Sequence, residues 1–229
     1  MQLINLNYNQ CDFKVLLRDE VDQSVFNEIF KIEEYRCAID KIKQAKAPIL
    51  DIGAHIGLFS LYCRALNPNV FIYAFEPEEN NFKALEKINI DNNLRINLIR
   101  AAIGEKSGEG ELVIAADNHN HHLAEQEAAP EQKFQKVKIY NLSDWRQANK
   151  ITEIGLLKMD IEGGEYQIID SLSIDDFKII EAMVLEYHND NWRDYRLIEE
   201  KLRSNGFSVK IFPSQFDKKM GFLWAINKR

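Results

Sequence analysis

Two apolar runs in this chain end on residues able to move protons or hold a cation. GLLKMDIEGGE (155–165) climbs through hydrophobic positions to Asp160, and EAMVLEYH (181–188) ends with Glu186 and His188. Alternate side chains of a strand share a face, so Glu186 and His188 point the same way. Imidazole titrates near neutral pH, which makes His188 the first candidate for a general base, oriented by Asp160 or Glu186. Asp160, Glu186 and His188 are equally a donor set for a divalent metal that would acidify a hydroxyl, and that alternative stays open. Lys158 lies on the same side as Asp160, and a lysine in a central strand requires a carboxylate partner.

A second constellation begins at ILDIGAHIGLFS (49–60), an apolar run broken by a glycine-flanked turn. Gly53 and Gly57 permit a tight turn and a close backbone approach to a ligand. Their G-x-x-x-G spacing is not the G-x-G-x-x-G of pyrophosphate binders, and His55 stands near the place of the middle glycine. Histidine is among the side chains enriched at positive φ, so the turn survives. VFIYAFEP (70–77) then ends a second strand at Glu76, where an acid accepts hydrogen bonds from both ribose hydroxyls. S-adenosylmethionine, a sulfonium, fits these acids better than NAD does, with Asp51 addressing its amino-acid end through the loop.

The chain has 229 residues, enough for one sizeable α/β domain or two small ones. A net charge of −7 without a basic stretch argues against nucleic acid as substrate. No run approaches the roughly 18 to 20 apolar residues of a membrane span, and MQLINLNYNQCDF does not read as a signal peptide. Cys11, Cys37 and Cys63 form no CxxC pair or disulfide framework, which fits a cytoplasmic protein. NHNHH (118–122) reads as a solvated polar loop or, alternatively, as a lid in contact with substrate, since its spacing matches no helix-borne metal site. Nothing in the sequence specifies a homo-oligomer or excludes one.

These residues need a scaffold, and alternation of strand and helix patterns supplies it. Strands are expected at 13–18, 47–53, 70–77, 95–104, 111–115, 136–142, 155–160, 181–188, 207–212 and 222–227. Helical spacing runs over 22–44, with Asp22 as N-cap, and over 58–66, 79–93, 165–172 and 191–206, the last closed by Gly206. This order predicts an α/β fold: a mostly parallel sheet, helices on both faces, and a C-terminal antiparallel hairpin. Residues 1–48 read as an extension covering the active site, and 49–229 as the main domain.

LLKMDIEGGEYQII (156–169), with DIGAHIG, FEPEENNFKALEKI and RAAIGEKSGEGEL, closely resembles the FkbM-type family of S-adenosylmethionine-dependent O-methyltransferases. The family's K-x-D-x-E-G-x-E run is matched by Lys158, Asp160, Glu162, Gly163 and Glu165, and the resemblance covers about residues 12–188. It implies a Rossmann-like class I methyltransferase acting on a hydroxyl of a small molecule of sugar or natural-product type. It further implies that Asp51, Gly53, Ala54, His55 and Gly57 hold the methionine end of the cofactor. Glu76, beside Pro77, would hold the ribose; Ala101 and Ala102 would flank the adenine; Asp160 would face the sulfonium and the acceptor. His55 departs from the family, whose first loop often reads G-A-N-x-G. The other classes weighed are a non-catalytic scaffold of the same fold and an NAD-dependent oxidoreductase, which His55 disfavours.

Overall fold

The computed structural model describes residues 1–114, 122–123, 133–161, 163–190, 192–214 and 219–228. A hairpin, β1 (Gln2–Tyr8) and β2 (Cys11–Leu17), leads into α1 (Glu20–Asn27), a π turn (Glu28–Ile32), a 3-10 turn (Glu34–Ala38) and α2 (Ile39–Gln44). Then come β3 (Ile49–Ile52), α3 (Leu58–Leu66), β4 (Ile72–Phe75), α4 (Glu79–Asp91), β5 (Asn97–Ile99) and β6 (Ala102–Gly104). They are followed by β7 (Gly108–Ile114), β8 (His122–Leu123), β9 (Lys133–Asn141), α5 (Leu142–Ala148), β10 (Leu156–Met159), α6 (Glu165–Ser171) and α7 (Ile174–Ile179). The chain closes with β11 (Ala182–His188), α8 (Tyr195–Ser204), β12 (Phe207–Pro213) and β13 (Met220–Asn227).

Among the described residues, a seven-stranded sheet runs in the order β12-β13-β11-β10-β3-β4-β5. Strands β11, β10, β3, β4 and β5 are mutually parallel, and β13 alone enters antiparallel, paired on both sides. This is the predicted α/β sheet with its closing hairpin. Every residue of β3 and of β10 is buried, which is what a parallel sheet covered on both faces requires of its centre. A four-stranded sheet, β6-β9-β7-β8, stands apart.

Helix α3 explains why the first 44 residues are there. It is apolar all round: Leu58, Phe59, Leu61, Tyr62, Cys63, Ala65 and Leu66 are all buried. Such a helix cannot leave one side in water. Its outer side is covered by Tyr8 and Phe30, both in ring contact with Tyr62, and by Tyr35 against Phe59.

Four local expectations are corrected. The 22–44 stretch is not one helix: Glu33 sits at φ 57, and the break lets Phe30 and Tyr35 approach α3 from different sides. Asp19, not Asp22, caps α1, accepting from the amides of Val21 and Asp22. Residues 95–104 are not one strand, because a tight turn, with the Ala101 amide on the Ile99 carbonyl, sends β6 to the second sheet beside β9. Strand β1 and helices α5 and α7 were not anticipated. Gly206, at φ 92, follows α8 as expected. NHNHH lies outside the described residues except for the backbone of His122, and Glu162 lies outside them too.

Candidate functional site

The site lies at the carboxyl ends of β3, β4, β10 and β11. The β3–α3 loop is left-handed at Gly53 (φ 75), His55 (φ 52) and Gly57 (φ 90). Its amides turn toward β4: Gly53 and Ala54 donate to the Phe75 carbonyl at 3.1 and 2.9 Å, and His55 donates to Glu76 Oε2 at 2.8 Å. The glycines answer to the chain as well as to any ligand. A methyl on Gly53 would overlap the Asp160 carbonyl oxygen, and one on Gly57 would overlap Leu85.

Glu76 is almost fully buried, and its Oε1 accepts from the Glu78 amide at 2.9 Å. Burial lifts its pKa to about 7 against the two amide bonds that favour the charge. A carboxylate offers about four lone-pair sites, so two of them remain for the hydroxyls of a ribose. This fits a nucleoside. Beside it, the Pro77 carbonyl accepts from Gln135, and Ala101 and Ala102 form a buried methyl wall at the β5–β6 corner.

Asp51 faces away from solvent. Ser60 donates to its Oδ2 at 2.7 Å, and Lys158 Nζ lies 3.2 Å from Oδ1. Lys158 is the paired strand lysine that was expected; it also donates to the Gly53 carbonyl at 2.6 Å and stands 3.9 Å from Asp160. Burial opposes its charge, but Asp51 and then Asp160 outweigh burial and raise its pKa. The Asp51–Lys158 pair therefore fixes the loop from behind.

Asp160, Glu186 and His188 converge, with one ligating atom from each lying within 4.8 Å of the others, all three half-buried. Glu165, fully buried, places Oε1 3.5 Å from His188 Nδ1 while accepting from the Ile161 amide at 2.9 Å.

The sequence did not signal the residues that close the site from the N-terminal segment. Arg18 makes a two-bond pair with buried Asp22 at 2.8 Å, donates to Asn81 at 2.8 Å and lies 3.4 Å from His55 Nε2. His55 thus binds the loop to the extension. Tyr35 packs against Phe59 and Phe222, its phenol raised well above the ordinary value by burial, then by Asp160 and Glu186. Glu34 is pushed up to about 7 by burial, then by Glu28 and Asp160. The interleaving of apolar and charged residues over 18–35 carries no motif that would have marked them.

Residues 51–209 match the model of the FkbM methyltransferase domain. The chain belongs to the FkbM methyltransferase family. It is similar to Methyltransferase 1 of Beauveria bassiana (strain ARSEF 2860), 25% identical over 71% of this chain and 73% of that protein. It is also similar to the 31-O-demethyl-FK506 methyltransferase FkbM of Streptomyces tacrolimicus, 23% identical over 70% and 72%. Among solved structures, an rRNA methylase from Streptococcus thermophilus superposes with a TM-score of 0.53, covering 86% of this chain and 97% of that one at 10% identity. That likeness is one of fold: a class I S-adenosylmethionine-dependent methyltransferase architecture. The FkbM-family chain is a methyltransferase, and among its described residues no helix is long and apolar enough to cross a membrane.

Proposed function

We propose that this FkbM-family protein transfers a methyl group from S-adenosylmethionine to a hydroxyl of a small molecule of sugar or natural-product type. The observation that carries the reading is the meeting of Asp160, Glu186 and His188 beside a loop already tied to a ribose-competent carboxylate. When bound, the cofactor supplies a methyl group on a sulfonium sulfur and leaves as a thioether. Glu76 accepts from the ribose, the 53–57 loop lies along the methionine end, and Ala101 and Ala102 flank the adenine. Asp160 faces the positive sulfur and the acceptor together. Holding the acceptor oxygen in line is worth on the order of 7 to 11 kcal/mol at its upper range. An alcohol must also lose its proton, and the Asp160–Glu186–His188 trio is where that happens.

An oxygen acceptor is supported by the name of the Streptomyces relative, which specifies a 31-O position. A small molecule is favoured over RNA by the net charge of −7, because a nucleic-acid site needs a basic face. Residues 1–48 act as the cover of the active site on the 49–229 domain, since Tyr35 reaches the field of Asp160 and Glu186. The three cysteines are unpaired thiols, in keeping with a cytoplasmic setting.

The test is transfer of isotopically labelled methyl to a panel of hydroxylated small molecules, with an RNA arm run in parallel. Label on a small-molecule oxygen, lost in His188→Asn, supports the reading. Label in RNA, or on nitrogen or carbon alone, overturns it.

A further inference from the structure

Resting on the reading of the Asp160–Glu186–His188 trio as the acceptor site, we infer that the trio holds a divalent cation of the Mn2+ or Mg2+ kind. Three observations point there. First is geometry. In an octahedron with ligands about 2.0–2.1 Å from a small hard cation, neighbouring ligand atoms stand about 2.9 Å apart and opposed ones about 4.2 Å, so side chains whose ligating atoms already lie within 4.8 Å of one another can close on a single ion by turning inward. Two carboxylate oxygens and an imidazole nitrogen suit such an ion, and the three protein ligands leave octahedral positions for water and an acceptor hydroxyl.

Second is the arrangement behind the histidine. Metal-bound imidazoles usually give their other N–H to a carboxylate, which fixes the ring and strengthens the ligand. Glu165 places Oε1 3.5 Å from His188 Nδ1, longer than a formed hydrogen bond but on the side from which such a carboxylate acts, which would leave Nε2 for the cation. Its second oxygen, Oε2, is buried with no hydrogen-bond partner among the described residues.

Third is the surrounding charge. Lys158, 3.9 Å from Asp160, is committed more closely to Asp51 and to the Gly53 carbonyl. Glu34 adds another carboxyl within the electrostatic reach of Asp160. A bound dication answers that excess. It would lower the pKa of an acceptor hydroxyl, whose proton passes to solvent. The oxygen lone pair then forms the new bond to the methyl carbon as the carbon–sulfur bond breaks and its electron pair returns to sulfur.

The experiment is an electron paramagnetic resonance titration of the full chain with Mn2+, in the presence of S-adenosylhomocysteine. One saturable Mn2+ per chain is expected, weakened at least about tenfold by Glu186→Gln and by His188→Asn. Unchanged S-adenosylhomocysteine affinity in each variant shows that the fold is intact. A wild-type crystal soaked in Mn2+ gives a readout independent of any variant: anomalous density among the three side chains is expected. No saturable binding at millimolar Mn2+, or density elsewhere only, overturns the inference. Mn2+ at the trio with no methyl transfer to any hydroxyl would leave the metal site standing and sink the O-methyl reading. Transfer undiminished by a strong chelator would sink the metal alone.

Discussion

Glu76 accepts the backbone amide of His55 at 2.8 Å, so the acid that would hold a ribose and the loop that would hold the methionine end are one hydrogen-bonded unit. Burial lifts the folded Glu76 pKa to about 7 from an ordinary 4.5. Its contribution to stability is therefore fully present below about pH 4.5 and is lost as pH rises toward 7. Ligand donors favour the charged form, so S-adenosylhomocysteine affinity is predicted to rise as pH goes up through about 7. Calorimetric titrations between pH 5.5 and 8.5 check this, and a pH-independent affinity, or one equally steep in Glu76→Gln, would contradict it.

Lys158 is the clearest structural ion in the site. Lys158→Met leaves Asp51 charged and buried, which is predicted to cost about 3 kcal/mol or more in urea unfolding. Adding Asp51→Asn, which keeps an acceptor for Ser60, should restore part of that loss. A double variant that loses as much stability as the two single losses added together would mean the two groups do not act as a pair.

The central strands were legible because each is an apolar run ending abruptly in a polar residue. Glu76, Asp160 and His188 mark such ends, Asp51 stands one residue inside the end of β3, and the sheet then brings them to one edge. The corner at Ala101 was hidden because RINLIRAAIG contains no proline or early glycine to announce a break. The second half of the site was hidden for another reason. Arg18, Asp22, Glu34 and Tyr35 acquire their positions only by covering an apolar α3, and a long-range packing demand leaves no local spacing to read. His55 was legible as a departure but not as a tether, since its partners Arg18 and Asp22 come from that unmarked segment.

Asp22 is predicted to make that tether acid-sensitive. Burial alone would lift its carboxyl, but Arg18, through side chain and amide, and then His55 hold it below the ordinary carboxylate range. Its stabilisation is present above about pH 4 and is lost as pH falls through the lower folded value. Urea unfolding from pH 2.5 to 6 should show a flatter acid limb in Asp22→Asn. Asp22→Ala, which strands the Arg18 guanidinium, should lose about 3 kcal/mol at pH 7. An unchanged acid limb in Asp22→Asn would remove Asp22 from the network.

The most direct measurement is calorimetric binding of S-adenosylhomocysteine to the wild-type chain and to Glu76→Ala at pH 8. One molecule per wild-type chain is predicted, with at least a tenfold loss, about 1.4 kcal/mol, in the variant. No binding to the wild-type chain, or equal binding to both, would contradict a nucleoside cradle between Gly53 and Glu76.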